Sequence, residues 1–589
     1  MITRIKIGSL IIAAVITLFA CRLWYLQILQ RDKYQTLSET NRLRIIKNPA
    51  PRGIIYDRNG VPLVKNIPTF SVSIIPENLR NLDRDALAKM LEMPLQEIEE
   101  KLNKKDNSPF VPIKLKLGLN FKDIARIEAV RSDFPGLFVE TEVGREYLFG
   151  KAGGHIIGYL GKITQTQLNR PDLKHFPPDA LIGQWGAEAL HDERLRGTPG
   201  ERVVEIDALG RELRLIQQKQ AIKGGDIHLS IDINIHKAIE NAFGEKAGAL
   251  VAIRPATGEI LALESLPSFD PNVFAMGIDY HDWKALTENK KKPLLNRALQ
   301  SQYPPGSTFK IVTAIAALEE DAVKPDTKFT CTGGLGFGKW TFGCWKKGGH
   351  GSVDFHRGIV ESCDVYFYEV GKRLGMDKIY KYATALGLGR ETGVDIPPVK
   401  ESKGLVPNPQ WKREKKKLSW FLGDTFISAI GQGFVSATPV QMANLMAAVA
   451  NNGDVCKPTL IKGGSLPRDA VKLKPETVRM IKDALQGVVN EPNGTAKGAK
   501  SSIALTGGKT GTSQVVSKRK GLGGERFMDH AWFVAFAPIE NPEIAVAVFV
   551  EHGGGGGAVA APIAKKAIEA YFKKDDTKRE QEIRPNDND

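Results

Sequence analysis

The sequence predicts a multidomain α+β protein with a single N-terminal transmembrane helix, an elongated β-rich middle domain, and a C-terminal domain whose central antiparallel sheet is covered by helices. Three observations support this fold class. The 589 residues are 42% hydrophobic, which allows about two to four packed domains. One long apolar run lies near the start of the chain. The C-terminal part shows strands, then amphipathic helices, then strands again, the order typical of a sheet covered by helices.

The apolar run extends from Ile7 to Leu29 and contains one cation, Arg22, near its far end. About 20 apolar residues in a helix cross a bilayer, and a long arginine side chain reaches the headgroups from such a position. A cleaved signal peptide and a lipoprotein signal ending at Cys21 are alternatives. No small-x-small cleavage site is evident, and Phe19 is poorly suited to a lipobox. We therefore expect an uncleaved anchor over residues 7–29, with 1–6 in the cytoplasm and the rest outside it.

The pattern then changes twice along the chain. Residues 30–225 combine the tight-turn signal Asp57-Arg-Asn-Gly60 with amphipathic helical stretches and no obvious chemistry, so we expect a spacing or binding domain. Residues 226–572 hold the alternating strands and apolar helices of the expected C-terminal domain. Residues 573–589 are nearly all polar, which predicts a disordered tail.

Three short motifs follow one another in the C-terminal domain. They are Ser307-x-x-Lys310, Ser362-x-Asp364 and Lys509-Thr-Gly-Thr512. Each is weak evidence alone, but the ordered triple is the sequence mark of acyl-serine chemistry on D-Ala-D-Ala or β-lactam substrates. Acyl transfer of this kind needs no cofactor.

The first motif places the nucleophile and its base one helical turn apart. Two prolines and a glycine precede an apolar helix, so Ser307 lies near the helix N-terminus, where a developing anion is favoured. Lysine is protonated at neutral pH, so Lys310 can act as a base only if burial or a second cation favours its neutral form. Lys509 is the expected cation, and Ser362 the expected proton relay between the two lysines. Asp364 is expected to bind substrate or to hydrogen-bond Lys310. Because its negative charge favours the protonated lysine, its net influence on Lys310 stays open.

The third motif invites comparison with a phosphate loop. That loop needs its first glycine at the position occupied by Ile503, so the match fails. Gly511 instead lets a substrate backbone approach an edge strand. Lys509 and the hydroxyls of Thr510 and Thr512 then supply donors for a terminal carboxylate.

A group of thiols lies between the first and third motifs. Cys331, Cys344, His350 and Cys363 offer four soft ligands, the number that one tetrahedral structural zinc ion requires. The spacing is not that of a standard zinc finger. A Cys331–Cys344 disulfide, favoured in an oxidising compartment, and three unrelated buried thiols are the alternatives.

With these motifs, the chain resembles the class B penicillin-binding proteins, whose C-terminal domain has the serine β-lactamase-like fold. The segments Pro51–Gly60 and Gly183–Glu188 look like parts of their pedestal, a dimerisation-like domain. Asp364, where many relatives carry Asn, favours the elongation-type penicillin-binding protein 2 group. The resemblance implies a peptidoglycan D,D-transpeptidase that crosslinks stem peptides during cell elongation and is inhibited by β-lactams. Some members of that group are thought to hold zinc beside the active site.

The resemblance also implies partners and a location. We expect a single-pass protein of the cell inner membrane with its catalytic domain in the periplasm, a membrane glycosyltransferase of the shape, elongation and division family, and a rod-shape complex. The net charge of +15 is dispersed and accompanies no nucleic-acid-binding motif. The alternative functions are a D,D-carboxypeptidase or β-lactamase-type hydrolase, which needs a water-activating base that the sequence does not reveal, and a non-catalytic β-lactam receptor or scaffold.

Overall fold

The structure is a computed structural model. It describes all residues except 1, 35–42, 76–82, 104–111, 135, 175, 177–179, 207–211, 276, 279, 464–467, 515–527 and 583–589. The chain forms two compact units, and neither is one continuous segment. The smaller unit comprises residues 1–53, 66–144 and 193–225, and the larger comprises 54–65, 145–192 and 226–589. The domain limits expected from the sequence stay predictions. Residues 573–582 of the expected disordered tail instead continue the helix Ala560–Glu582, and 583–589 lie outside the described residues.

The smaller unit begins with the predicted apolar helix. The α-helix Ile2–Trp24 continues into a π-helical turn at Tyr25–Leu29, and the apolar stretch Ile5–Leu29 has a mean hydropathy of 2.1 with none of it buried. Its length and composition suit a membrane span. The helix starts earlier in the chain than the sequence predicts, because the cations at its start do not interrupt helical geometry.

Two groups of strands follow in the smaller unit. Leu43–Asn48, Gly200–Ile206 and Glu212–Lys219 form a three-stranded antiparallel sheet. The remaining strands pack with three amphipathic helices around a core that includes Val72, Leu87 and Leu115. The elements are strands Pro62–Ile74 (from residue 66), Ile113–Leu117 and Leu137–Tyr147 (to residue 144), helices Arg84–Leu91, Leu95–Leu102, Phe121–Ala129 and Asp192–Arg196 (from residue 193), and the 3-10 turn Arg131–Asp133.

The core of the larger unit is a five-stranded antiparallel sheet, as predicted. Its order is Ile260–Leu266, Gly248–Ile253, Ile544–Val550, His530–Ala537 and Gly507–Ser513. The first four strands are buried almost throughout, so side chains on both faces are covered by helices. Gly507–Ser513, here called the motif strand, lies at the edge of this sheet and carries the third motif.

Helices carry the other two motifs. The serine helix, Lys310–Glu319, is buried from its first residue to Leu318, and Asp364–Leu374 packs against it. The segment Phe329–Val353, here called the cysteine lobe, consists of two small hairpins between these helices in the chain. The order of strands, then helices, then strands that the sequence predicts for this part of the chain is therefore present.

The other elements of the larger unit complete the frame. They are strands Ile55–Tyr56, Leu160–Lys162, Leu181–Gly183, Ile227–His228, Asp454–Cys456 and Arg468–Ala470, helices Gly154–Ile157, Gln165–Leu168, Gly186–Leu190, Ile233–Phe243, Asn272–Ala275, Tyr280–Thr287, Arg297–Gln300, Phe355–Val360, Met376–Ala385, Pro409–Trp411, Leu422–Ala429, Pro439–Ala450, Pro475–Asn490 and Ala560–Glu582, the π-helical turn Lys412–Lys416, and 3-10 turns Gly306–Phe309 and Lys497–Ala499.

One buried ion pair ties distant parts of the larger unit together. Arg145 Nε donates to Glu188 Oε1 over 2.8 Å, and both side chains are almost fully buried. The neighbouring pair Lys65–Glu146 has a similar separation of 2.9 Å but is half-exposed. Removing one partner of the buried pair leaves the other charge in a low-dielectric environment, whereas the charge left by the half-exposed pair stays in contact with water.

We therefore expect Glu188→Ala to lower the free energy of unfolding by about 3–5 kcal/mol, since the Arg145 guanidinium would stay buried without its carboxylate. Glu146→Ala is the matched control and should cost under about 1 kcal/mol. Denaturant unfolding of the full chain in detergent measures both values. Equal effects of the two substitutions would contradict this account of the pair.

Candidate active site

Ser307 lies in a tightly held turn. The 3-10 turn Gly306–Phe309, here called the nucleophile turn, leads into the serine helix, and Ser307 is half-buried. The amide of Gly306 donates to the carbonyl of Gly431 over 2.9 Å. Gly306 has φ +55°, and a Cβ there would lie 2.6 Å from the Thr512 carbonyl oxygen. Only glycine fits this position, because both the backbone conformation and the contact exclude a side chain.

The residues just before the turn are attached to the sheet. The Pro304 carbonyl accepts from the indole Nε1 of Trp532 over 3.0 Å and from the hydroxyl of Ser513. The Tyr303 hydroxyl donates to Glu551 over 2.6 Å. These contacts fix the approach of the chain to Ser307 from three strands or strand ends, so the nucleophile is held on a rigid frame.

Lys310 joins the first motif to the second. Its side chain is fully buried, and Nζ lies 2.7 Å from Asp364 Oδ1, 2.9 Å from the Ser362 carbonyl oxygen and 3.2 Å from Ser362 Oγ. Within the described part of the chain, no hydrogen bond joins Lys310 to the hydroxyl of Ser307. Such catalytic contacts often shorten only when substrate binds. Lys310 thus contacts Ser362 directly, whereas Ser307 stands on the nucleophile turn that leads into the helix of Lys310.

The third motif supplies the second lysine. Lys509 is fully buried, and its ammonium donates to the Thr510 carbonyl over 3.2 Å. Burial, and after it the positive charge of Lys310, holds the pKa of Lys509 well below its ordinary value, while Asp364 acts in the opposite direction. The positive charge of Lys310 therefore contributes to the lowered pKa of Lys509.

The two threonines of the motif strand differ in their exposure to solvent. Thr510 is buried with its hydroxyl 2.9 Å from that of Thr495, whereas Thr512 is exposed. A Cβ on Gly511 would lie 2.7 Å from the Pro305 carbonyl oxygen. Position 511 therefore needs glycine for a reason that the sequence interpretation missed. The chain at the nucleophile turn comes too close to the strand at this point to leave room for a side chain.

The four predicted metal ligands come together. The ligand atoms of Cys331, Cys344, His350 and Cys363 all lie within 4.8 Å of one another, and His350 Nδ1 is 3.6 Å and 3.5 Å from the first two sulfurs. The three cysteines are free, so the Cys331–Cys344 disulfide is not the arrangement seen. The Cys363 sulfur also accepts the amide of Tyr366 at the start of a helix. A hydrogen bond from the Cys363 thiol lowers the pKa of the Cys344 thiol to about 5.

Several residues near the motifs were missed by sequence reasoning. Trp345 donates its amide to Asp364 Oδ2 over 2.9 Å and its indole Nε1 to the Ser362 carbonyl over 3.1 Å. Asn493 donates to Glu361 over 2.9 Å. Trp345 stands beside Cys344 in the sequence, which is the only signal that pointed to it. A hydrogen bond to a backbone carbonyl cannot be recognised from the sequence, because every residue type has that carbonyl.

Two family models match the chain. The model described as "Penicillin binding protein transpeptidase domain" matches residues 248–569, and "Penicillin-binding Protein dimerisation domain" matches residues 47–229. Peptidoglycan D,D-transpeptidase MrdA of Acinetobacter baumannii is 37% identical over 98% of this chain and 88% of the relative. The chain belongs to the class B penicillin-binding proteins, in the penicillin-binding protein 2 group.

Solved structures agree with this membership. Penicillin-binding protein 2 of Helicobacter pylori, in a complex with MreC, is similar with a TM-score of 0.79 at 28% identity, covering 90% of this chain and 99% of that one. A chain from a structure concerned with coordination of polymerization and crosslinking by a peptidoglycan synthase complex has a TM-score of 0.72 at 32% identity, covering 97% and 98%. The likeness to penicillin-binding protein 2 therefore extends over nearly the whole molecule.

Lys509 makes stability depend on pH in a defined direction. Because its pKa is lower in the folded state than in the unfolded chain, the unfolded chain binds more protons between the two values, and stability rises with pH there. We expect Lys509→Met to remove this rise and to raise the free energy of unfolding at pH 7 by about 1–4 kcal/mol, while activity is lost.

Denaturant unfolding of the wild type and Lys509→Met at several pH values between 6 and 10 checks this expectation. The exposed Lys500 on the preceding loop provides the control, and Lys500→Met should follow the wild type. Parallel pH profiles for the wild type and Lys509→Met would show that the buried lysine carries no such cost.

Proposed function

We propose that this chain crosslinks peptidoglycan stem peptides through an acyl-Ser307 intermediate during cell elongation. One observation carries the assignment of residues: the buried Lys310 ammonium lies one turn after Ser307 and within 3.2 Å of the Ser362 hydroxyl. Membership of the penicillin-binding protein 2 group supports the reaction class. The motif strand, which carries Lys509, borders the same nucleophile turn.

The acylation step transfers one proton and breaks one bond. Ser307 Oγ attacks the carbonyl carbon of the penultimate D-Ala, and its proton passes to Lys310, which enters this step as the neutral amine. The proton then reaches the nitrogen of the terminal D-Ala through Ser362, so the C–N bond breaks and D-Ala leaves as an amine. An ester of Ser307 remains. In a β-lactam the same attack opens the ring amide, and the leaving nitrogen stays attached to the acyl group.

The second step uses an amine from a neighbouring stem peptide. Its nitrogen attacks the ester carbonyl and forms the crosslinking amide. The ester C–O bond breaks, and the proton lost by the amine passes through Ser362 and Lys310 to Ser307 Oγ. Water in place of the amine would make the enzyme a carboxypeptidase. The anchoring of the nucleophile turn does not distinguish an amine acceptor from water. Analysis of the products therefore separates transpeptidation from hydrolysis.

The motif strand is the proposed site for the terminal carboxylate. Thr512 is exposed beside Ser307's turn, and its carbonyl is held by Gln432 Nε2 over 3.0 Å. We assign carboxylate recognition to Thr512 and Thr510, with Lys509 as the cation behind them and Gly511 giving close backbone approach. We also assign Asp364, which pairs with Lys310, to substrate binding.

The cysteine lobe fits one structural zinc ion. Tetrahedral zinc with bonds of about 2.3 Å to sulfur and about 2.0–2.1 Å to nitrogen separates these atoms by about 3.5 Å, which matches the observed contacts of His350 Nδ1. Cys331, Cys344, His350 and Cys363 would hold the ion. It would tie the lobe to the residue that precedes Asp364, and it takes no part in acyl transfer.

The location and partners follow from the anchor and the family. We propose a single-pass protein of the inner membrane, with residues 1–6 in the cytoplasm, 7–29 as the span, 30–225 as pedestal, 226–572 as catalytic domain in the periplasm, and 573–589 as a tail. The related Helicobacter pylori protein forms a complex with MreC, and another relative belongs to a peptidoglycan synthase complex. We extend this to a rod-shape complex with a membrane glycosyltransferase of the shape, elongation and division family.

Ser307→Ala should abolish acylation by a fluorescent penicillin, with a loss of about 10⁶-fold by analogy with other serine acyl enzymes. The exposed Ser352 offers a control, and Ser352→Ala should label at the wild-type rate. Wild-type protein supplied with polymerised glycan should yield crosslinked stem peptides. Normal labelling of Ser307→Ala would refute the nucleophile, and release of D-Ala without crosslinks would replace transpeptidation by hydrolysis.

Purified protein should contain one zinc ion per chain by metal analysis. Cys331→Ser should lower that content and slow penicillin acylation, because the cluster is next to Ser362 in the chain. Cys456 is also buried but lies outside the cluster, so Cys456→Ser should retain the full zinc content. A metal-free wild type with a Cys331–Cys344 crosslink in mass spectra would rule out the zinc site.

A further inference from the structure

We propose that Trp345 is a positioning residue for acylation, holding Ser362 and Asp364 in place for Lys310. This inference rests on the proposed acyl-serine function and adds a residue that none of the three motifs contains. Trp345 belongs to the cysteine lobe, directly after Cys344, and reaches the second motif through both its backbone and its side chain.

Trp345 and Lys310 bind the same two acceptors. The Asp364 carboxylate takes the Lys310 ammonium on Oδ1 over 2.7 Å and the Trp345 amide on Oδ2 over 2.9 Å. The Ser362 carbonyl takes the ammonium over 2.9 Å and the Trp345 indole over 3.1 Å, and the same indole N–H also donates to the Glu361 carbonyl over 3.1 Å. A carbonyl oxygen has two lone pairs, so these two donors complete it. Two of the three acceptors of the Lys310 ammonium are thereby also held by Trp345, and the third is Ser362 Oγ.

Ser362 has a conformation that needs such support. Its φ is +55°, in the left-handed region that non-glycine residues rarely adopt. A backbone of this kind costs about 1–3 kcal/mol and persists only where its surroundings determine it. The Ser362 amide donates to the Ile359 carbonyl over 3.2 Å, and the carbonyl is fixed by Lys310 and Trp345. Removing the indole N–H leaves the lysine as the sole side-chain donor to that carbonyl among the described residues.

The lysine cannot serve as a constant support during the reaction. Lys310 is assigned to accept and return a proton, so its charge and its hydrogen bonds change from one step to the next. The indole N–H does not titrate in water and keeps its donor throughout. Trp345 therefore keeps Ser362 Oγ at a fixed distance from Lys310 while the proton moves. Displacements of about 1 Å in such a group cost up to 10²-fold in rate.

Because part of Trp345 is exposed, it could also contact substrate directly, and the experiment must distinguish that role from positioning. Its side chain is 58% exposed, and its ring lies 5.3 Å from that of His350. A substrate-contacting tryptophan would change the dissociation constant of the non-covalent complex. A positioning tryptophan changes the first-order acylation rate constant instead.

The test compares two replacements at position 345 in the full chain in detergent. Trp345→Phe removes the N–H and part of the ring, and 3-benzothienylalanine replaces the N–H by sulfur while keeping the shape of the indole. Rapid mixing with a fluorescent penicillin over a range of concentrations gives the dissociation constant and the acylation rate constant separately. We expect both replacements to lower the rate constant about tenfold with the dissociation constant within twofold. Zinc content and unfolding midpoint should match the wild type.

Trp340 on the neighbouring hairpin of the lobe is the matched control. It is 65% exposed, its indole makes no hydrogen bond to any described residue, and Trp340→Phe should leave both constants unchanged. A changed dissociation constant with an unchanged rate constant would make Trp345 a substrate contact and overturn the proposal. An unchanged rate constant with 3-benzothienylalanine would also overturn it, as would loss of zinc or of folding with both replacements. If Ser307→Ala still reacts, the proposed function fails; if Ser307→Ala is inert while both Trp345 replacements acylate normally, only the present inference fails.

Discussion

The site depends on the burial of two lysine side chains, Lys310 and Lys509, beneath one nucleophile. Two ammonium groups in a dry interior repel each other and lose hydration, so neither is stable there without a compensating acceptor. Asp364 is the carboxylate that pairs with Lys310, and it stands at the first turn of a helix whose N-terminus favours a negative charge. The edge strand, the serine helix and the strip that carries Ser362 must all be in place before either lysine can be buried. Catalysis and folding therefore share the same few contacts.

Much of this arrangement could be predicted because acyl-serine chemistry uses residues that stand close together in sequence within each motif. Ser307 and Lys310 are one turn apart, and Ser362 and Asp364 flank the start of a helix, so local patterns suffice. The strands of the central sheet were also predictable, since their apolar runs are long and end at turns. The division into units was not. The strand Ile55–Tyr56 pairs with Ile227–His228, and that pairing is set by contacts between segments far apart in the chain.

The contacts that align the motifs could not be read from residue types. Pro304 and Ser362 act through their carbonyl oxygens, which every residue possesses. Trp345 acts through an indole that, on sequence alone, fits an exposed aromatic residue equally well. The pKa of Lys509 depends on complete burial, and that burial follows from the edge strand and the serine helix packing on the same nucleophile turn. Gly511 illustrates the same limit, because the sequence suggests a role in substrate approach but does not reveal the close approach of the backbone beside the nucleophile turn.

The nucleophile turn is packed against its neighbours backbone to backbone. A Cβ on Gly306 would collide with the Thr512 carbonyl, one on Gly431 would lie 2.3 Å from the Gly306 carbonyl, and one on Gly511 would meet the Pro305 carbonyl. Enlarging any of these three glycines would displace the backbone that holds Ser307, so a bacterium under selection by a β-lactam cannot use these positions to escape the drug. Resistance substitutions should therefore arise at positions whose side chains, unlike a Cβ at these three, do not meet the backbone that holds Ser307.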